Sequence, residues 1–466
     1  MQARSTATPA ATARQPTGDG SRGGTDSTLV SIRARLERAR VDLTPARRSR
    51  DFRILLVAGT VFYFGSMVAY VAVPFQIYRL TGSNLAVGVL GLVQLGPLIV
   101  SGLWGGALAD HVDRRRLLIW CGVGQVVLMG VLSANALLGT PRLPVIYAAS
   151  ALVTVVGALQ RPSREALLPR TVRHDEIPAA NSLMSLGFHV GVFAGPALGG
   201  VIVATAGAAW CFALTALVMA VATVMYALMR PYAHREETTR PSFAGIAEGW
   251  RYAVGRRDLL GTYLVDIAAM FLAMPVVLFP AFAESVFQRP ELLGALYTAE
   301  TAGALVSTAL SGWMSRVTAH GRLIVIAAAA YGVFIALAGL APTIWLAMLA
   351  LAAAGAADNV SAILRGTVWN QSIPERMRGR LAGIEMLSYS VGPLAGQVRA
   401  GLVADRWSVR SAITSGGILC VGGVAVTALW LRDFWHYDAA TDPHVLAERE
   451  RRAAYDEVDS RTPDAD

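Results

Sequence analysis

Ionisable side chains stand in stretches of this chain that otherwise avoid charge: Asp266, Glu300, Asp358, Glu385 and Arg399. Holding a charge in hydrocarbon is costly, so such residues are usually functional or paired. A carboxyl group stripped of water resists ionisation and can titrate near neutrality. That suits it to take up a proton at one face and release it at another. Asp266 and Glu300 have no obvious partner nearby in sequence and lead as proton carriers, unless one of them pairs with Arg399. Asp358 stands two helical turns before Arg365 and reads equally as half of a structural ion pair. Glu385 reads equally as a charge near a helix N-terminus. At comparable depth the N-terminal half offers only Gln94 and His189, and a histidine so placed is more often a packing residue than a relay. No nucleophile–base set accompanies these residues, so an enzyme is not expected. The phosphate loop ending in Gly-Lys cannot occur, because the chain has no lysine. Cys121, Cys211 and Cys420 fall singly in apolar stretches, which argues against disulfides and metal sites. The expected energy source is an ion gradient, with no cofactor.

The elements that carry these residues are set by hydropathy. Of 466 residues 54% are hydrophobic and 16% charged, and mean hydropathy is +0.47. A soluble domain holds about 25% charged residues. The missing charge is absent from long windows and gathered between them. The windows cover 54–80, 85–109, 117–138, 144–159, 181–204, 208–229, 259–287, 292–315, 323–340, 344–363, 381–404 and 412–431. Most approach the roughly 20 apolar residues that cross a hydrocarbon core. Backbone groups in lipid must be bonded internally, and no run alternates with a period of two. The windows are therefore helices and not barrel strands. The expected fold is an all-α membrane protein of about twelve transmembrane helices.

Arginine sets the orientation. All 41 basic residues are arginine. With both termini cytoplasmic, the inner segments hold the clusters around 47–53, 114–116, 161–173, 230–257 and 365–380, Arg164 and Arg365 included. The outer loops hold only Arg79, Arg142, Arg289, Arg406 and Arg410. By the positive-inside rule this is a multi-pass protein of the inner, cytoplasmic membrane. The net charge of +9 reports topology. Nucleic acid is not an expected partner, because no basic stripe carries interleaved aromatics. The first window follows an Arg-rich tail and is too long for a signal h-region, so no cleavable signal peptide is expected. Residues 1–50 read as a cytoplasmic tail, disordered at first, with a basic amphipathic helix over 28–43 that suits either the inner leaflet or solvent. Residues 51–230 and 258–432 read as two six-helix bundles. Between them, 231–257 is a cytoplasmic linker with a short helix near 245–254, and 433–466 is an acidic cytoplasmic tail. The expected partners are membrane lipid, a small-molecule substrate and protons, with the protein a monomer.

The two bundles repeat. Under one constant offset Pro74 falls on Pro280, Gly88 on Gly294, Ser101 on Ser307, Gly106 on Gly312 and Arg116 on Arg322. A slightly smaller offset sets 169–199 against 374–401. Parallel repeats of this kind build two pseudo-symmetric bundles around a midplane site.

The segment Gly106-Ala107-Leu108-Ala109-Asp110-His111-Val112-Asp113-Arg114-Arg115 resembles the signature loop of the major facilitator superfamily. Gly106, Leu108, Asp110, Arg114 and Arg115 match; His111 replaces a basic residue and Asp113 a glycine. The resemblance implies the major facilitator fold and a gate, in which Asp110 accepts from the N-terminus of the eleventh span. The segment from Gly191 through Gly195, Pro196, Gly199 and Gly200 resembles the glycine motif of drug/proton antiporters, a kinked small-faced helix that lets two bundles approach. Gly157 to Leu183, Asp266 and Gly355 to Arg380 are similar to the enterobactin-exporter and macrolide-efflux branch. The resemblance covers 53–431. It implies proton-coupled efflux of a small, partly apolar molecule: a drug, a siderophore or a secondary metabolite. An importer, or a receptor or scaffold that moves nothing, is the alternative.

Overall fold

In the computed structural model the described residues are 42–232 and 243–451. Within them, side chains are described except at 102–111, 243–247, 249, 375–376, 378–380, 382–384 and 386–387. The helix expected over 28–43 and the tail beyond 451 thus lie essentially outside the described residues. All that follows concerns the unit that starts at Thr44.

Among the described residues a long helix runs through each apolar window. The first six are α1 (Arg50–Thr81), α2 (Asn84–His111), α3 (Arg114–Leu137), α4 (Leu143–Thr171), α5 (Ile177–Thr205) and α6 (Ala208–Ala227). The linker carries α7 (Phe243–Gly255), close to its expected place. Then come α8 (Arg257–Ala273), α9 (Leu293–Ala309), α10 (His320–Leu340), α11 (Ile344–Ser372), α12 (Glu375–Arg406) and α13 (Val409–Trp430). Ten of the twelve spans, the seventh taken as Arg257–Val286, are long and apolar enough to cross a membrane. The other two are α9, with 17 residues, and α12, whose sequence includes Arg376, Arg378, Arg380, Glu385, Arg399 and Arg406. Side-chain caps fix several starts: Ser49 accepts from Phe52 N, Ser83 from Ala86 N, Thr343 from Leu346 N and Ser408 from Ser411 N. The end of the molecule where α1 begins and α6 stops is called the linker end below, and the opposite one the far end.

Three spans depart from their windows. α4 and α11 run past 159 and 363 to Thr171 and Ser372, each with 29 residues. At 1.5 Å per residue that is about 43 Å, the depth of a bilayer with its headgroups. The seventh span is not one helix. It stops at Met274, whose backbone is extended as the residue before Pro275 must tend to be. Short turns then run from Val276–Leu278 to the π-helical Phe282–Val286.

Glycine decides which helices touch. In α5 a Cβ at Gly191 would stand 2.8 Å from Tyr63 Cβ, one at Gly195 2.5 Å from Met67 Cβ, and one at Gly199 2.9 Å from the Val68 carbonyl. These three glycines seat α5 on α1 within its own half. Only Gly200 meets the other half, at the backbone of Gly294 in α9. The motif expected to join the bundles thus joins them at one glycine and builds the N-terminal bundle with the rest. Gly303 and Gly355 play the building role in the C-terminal bundle, against the carbonyls of Ala352 and Glu300.

The acidic tail is packed as far as it is described. After α13 a short helix, Arg432–Trp435, turns the chain back under α8 and α10. Phe434 is fully buried between Gly261 and Gly321, and Val445 is fully buried as well. Tyr437 O accepts from Gly321 N at 3.2 Å, and Arg257 pairs with Asp433 at 2.7 Å. Hydrophobic residues spaced among the acids make this possible, a pattern that acidic composition hides. Phe434→Ala is expected to destabilise the protein by about 3 kcal/mol, the usual cost of emptying a buried aromatic site. A thermal midpoint in detergent checks it; a midpoint equal to wild type would return the tail to a loose appendage.

Candidate functional site

A cavity of about 140 Å³ lies between the two bundles. Its polar lining is Ser66 and Tyr70 from α1, Gln94 from α2, Ser150 from α4 and Gln397 from α12. Val276 and Val277, in the broken stretch after α8, complete the wall. Irregular backbone at membrane depth is tolerated where it faces such a space. None of the lining residues is ionisable near neutral pH. Each bundle presents one amide, Gln94 and Gln397, so the cavity suits a neutral hydrogen-bonding group on an apolar body.

The carboxylates lie apart from the cavity, in the C-terminal bundle. Asp266 is not unpartnered, as its sequence neighbourhood suggested. Its Oδ1 accepts from Arg365 at 2.8 Å and its Oδ2 from Ser388 at 3.2 Å, and all three side chains are buried. Arg365 also bonds Ser361 at 3.2 Å. Arg365 therefore bonds Asp266 on α8, while Asp358 on its own helix stands within its electrostatic reach. Asp358 stands within electrostatic reach of Glu300 as well. Glu300 lies at the α9–α11 crossing, where Gly355 abuts its carbonyl, and its Oε1 is buried with no hydrogen-bond partner among the described residues. Tyr297, one turn before it, packs edge-on against Tyr70 at 5.7 Å. Tyr70 lines the cavity and stands within electrostatic reach of Glu300. Arg399 pairs with neither Asp266 nor Glu300; it lies against Gly416 of α13. Glu385 stands one turn before Tyr389, to whose hydroxyl Arg161 donates across the halves at 3.5 Å. His189 is bound at 2.7 Å to the Ser185 carbonyl of its own helix.

One buried arginine escaped the sequence reading. Arg164 was counted with the topology-setting charges, yet it is 5% exposed within α4. It donates to the Tyr63 hydroxyl and lies over the Tyr63 ring at 4.2 Å. Arg164 and Arg365 both stand about two turns from the end of their 29-residue helices. Each reaches the first helix of its bundle, Tyr63 on α1 and Asp266 on α8. The internal repeat was the signal that could have found the pair. Tyr70 gave no signal, since tyrosine is ordinary in apolar helices, while Gln397 could have been found by the criterion that picked out Gln94.

The gate residues are partly in view. Gly106 and Asp110 fall in 102–111, whose side chains lie outside the described residues. Asp113, at the position where the signature has glycine, is the N-cap of α3 and accepts from Arg116 N at 3.0 Å. Arg115 donates to the Ala227 carbonyl at 2.5 Å and Arg114 to the Ala166 carbonyl at 3.5 Å. The arginines thus tie α3 to the linker-end turns of α6 and α4.

The family described as transmembrane secretion effector matches residues 42–454. The enterobactin exporter EntS of Escherichia coli (strain K12) is 29% identical over 411 residues, which are 85% of this chain and 95% of that protein. Among solved structures, a POT family transporter in complex with 5-aminolevulinic acid superposes with a TM-score of 0.65 at 12% identity, over 83% of this chain and 97% of that one. A bacterial homologue of the iron transporter ferroportin, in an inward-facing state, gives 0.62 at 15% identity, over 83% and 98%. At these identities the structures speak for the fold.

The Asp266–Arg365 geometry fixes an expected energetic pattern. Removing either partner strands a buried charge and costs about 3–5 kcal/mol, whereas replacing both with apolar residues costs much less. Thermal midpoints of Asp266→Leu, Arg365→Met and the double variant test this. A double variant as unstable as the two singles combined would show that the pair is not coupled.

Proposed function

The chain belongs to the transmembrane secretion effector family, within the major facilitator superfamily, and on that premise we propose that it exports a small, partly apolar molecule in exchange for protons entering down their gradient. The family match across nearly the whole chain carries the export reading. The cavity supports a cargo whose bound part is neutral and hydrogen-bonding, with Gln94, Gln397 and Tyr70 as its readers. A siderophore or related secondary metabolite is the favoured cargo class, by similarity to an enterobactin exporter. Arginine-rich inner segments support a linker end in the cytoplasm, both termini with it, and a far end outside. In this reading 51–230 and 258–432 are the two rocking bundles of a monomer in the cytoplasmic membrane, and no cofactor takes part.

Glu300 is the proposed proton carrier. Asp266 already has a guanidinium and a hydroxyl as partners. Glu300 has an unbonded buried oxygen, and a second carboxylate, Asp358, and the cavity-lining Tyr70 stand within its electrostatic reach. Cargo pressing on Tyr70 would move Tyr297 and with it the surroundings of Glu300, so that cargo exit and proton entry compete.

Two measurements test the reading. Cells expressing the protein should retain less of a siderophore or apolar drug than cells without it; uptake that rises with expression would sink export. In vesicles with an imposed pH gradient, Glu300→Gln should abolish uphill transport, a loss of at least about tenfold, while cargo still binds. Uphill, gradient-dependent transport by Glu300→Gln would pass the role to Asp358 or Glu385.

A further inference from the structure

Polar contacts between the halves gather at the far end, and one side chain makes most of them. Asp405 is the last residue but one of α12. Its Oδ2 accepts from Ser83 Oγ at 2.5 Å and from Leu85 N at 3.0 Å. Its Oδ1 accepts from Asn84 N at 2.7 Å and from Asn84 Nδ2 at 3.0 Å. A carboxylate at the C-terminal end of its own helix is disfavoured by that helix's dipole. The fold of α12 therefore gives no reason for an aspartate here. At α2 it meets the positive end of that helix and satisfies the N–H groups of Asn84 and Leu85, which Ser83, accepting from Ala86 N at 3.1 Å, leaves free. What the four bonds join is one half of the protein to the other. Beside them Arg79 meets Glu284 at 3.0 Å, a half-exposed pair of little energetic weight.

Below Asp405 the two helices touch backbone to backbone. Gly401 abuts the carbonyl of Asn84, Gly88 that of Gln397, and Gly91 that of Leu394. The pairs 84 with 401, 88 with 397 and 91 with 394 keep one antiparallel register. Continued along both helices, that register sets position 110 opposite 375, where α12 begins. Asp110 is the last residue but one of α2, as Asp405 is of α12. Each helix therefore carries an aspartate at its end, at the level where its partner starts.

We propose that Asp405 is a gating residue of the export cycle. It holds the far end shut in the state seen here and alternates with Asp110, so that the α2–α12 pair has a latch at each end and closes one at a time. Two rigid bundles that rock about the glycine contact cannot close both ends of an antiparallel pair together. A latch at either end gives two discrete arrangements of comparable free energy, which alternation requires. The proposal rests on the export reading only in calling the motion a transport cycle. Its test reads shape, and it stands or falls independently of cargo identity and of Glu300.

The experiment places nitroxide labels at the far end through Thr81→Cys and Trp407→Cys in the full chain, reconstituted in lipid nanodiscs. The native cysteines are buried. Pulsed electron paramagnetic resonance then gives the distance distribution. In Asp405→Ala the ratio of open to closed far end should rise roughly tenfold, as expected for lost hydrogen bonds to a charge. Asp405→Asn keeps an acceptor oxygen and should shift the ratio less; it carries the test should the alanine variant accumulate poorly. Asp110→Asn should shift it the opposite way, and the double variant should return near wild type. Glu284→Gln, which breaks the neighbouring exposed pair, should move it least. A distribution unchanged by both Asp405 variants overturns the proposal, even if transport is lost. So does a double variant that opens the far end as widely as Asp405→Ala alone.

Discussion

Lipid gives two helices no hydrophobic reason to meet, because its tails are as apolar as their side chains. Contact must come from close packing, and here closeness is supplied by missing side chains. Gly191, Gly195 and Gly199 let α1 lie in the face of α5, and Gly303 and Gly355 do the same for α9 and α11. Where the bundles face one another, Gly200 meets Gly294, and Gly88, Gly91 and Gly401 bring α2 and α12 into backbone contact. Such surfaces are smooth and carry few interlocking side chains. In the proposed cycle they would hold two bodies together while leaving one free to turn on the other. The polar contacts at the far end supply what smooth surfaces lack, a preferred stopping point.

The two bundles share a plan and differ in charge. Each has a long helix with an arginine at the same station, and each arginine reaches the first helix of its bundle. In the C-terminal bundle it finds a carboxylate, and in the N-terminal bundle a phenol. A guanidinium over a tyrosine ring cannot be neutralised by taking up a proton. The spanning carboxylates named above all belong to the C-terminal bundle. That bundle thus holds these carboxylates, while the N-terminal one supplies much of the cavity wall. Tyr70 stands at the join, in one bundle by sequence and in contact with the other by packing.

Much of the fold was legible because hydropathy in a membrane protein is a long-range signal averaged over whole spans. The helix at Phe243–Gly255 was legible, near 245–254, because a short helix is a local feature. What was not legible depended on partners distant in sequence. Charge ended the windows at 159 and 363, although Arg164 and Arg365 are buried and their helices continue. Asp266 looked solitary because its partner is 99 positions away on another helix. The break at Met274 could have been read from Pro275 and Pro280, but an apolar window does not register backbone geometry. The glycine motif was recognised as a pattern, while its division of labour between α1 and α9 is a property of three dimensions.

The packed segment after α13 bears on how the protein is made. Phe434, Tyr437 and Val445 follow every span in chain order, and domains of a growing chain assemble from the N-terminal side. The ribosome therefore delivers α8 and α10 to the membrane with the groove at Gly261 and Gly321 uncovered. That groove stays open while α11, α12 and α13 are inserted, and it is filled only after the last of them. Assembly of the second bundle ends in the aqueous phase, at the membrane surface, with a step that insertion into lipid cannot drive.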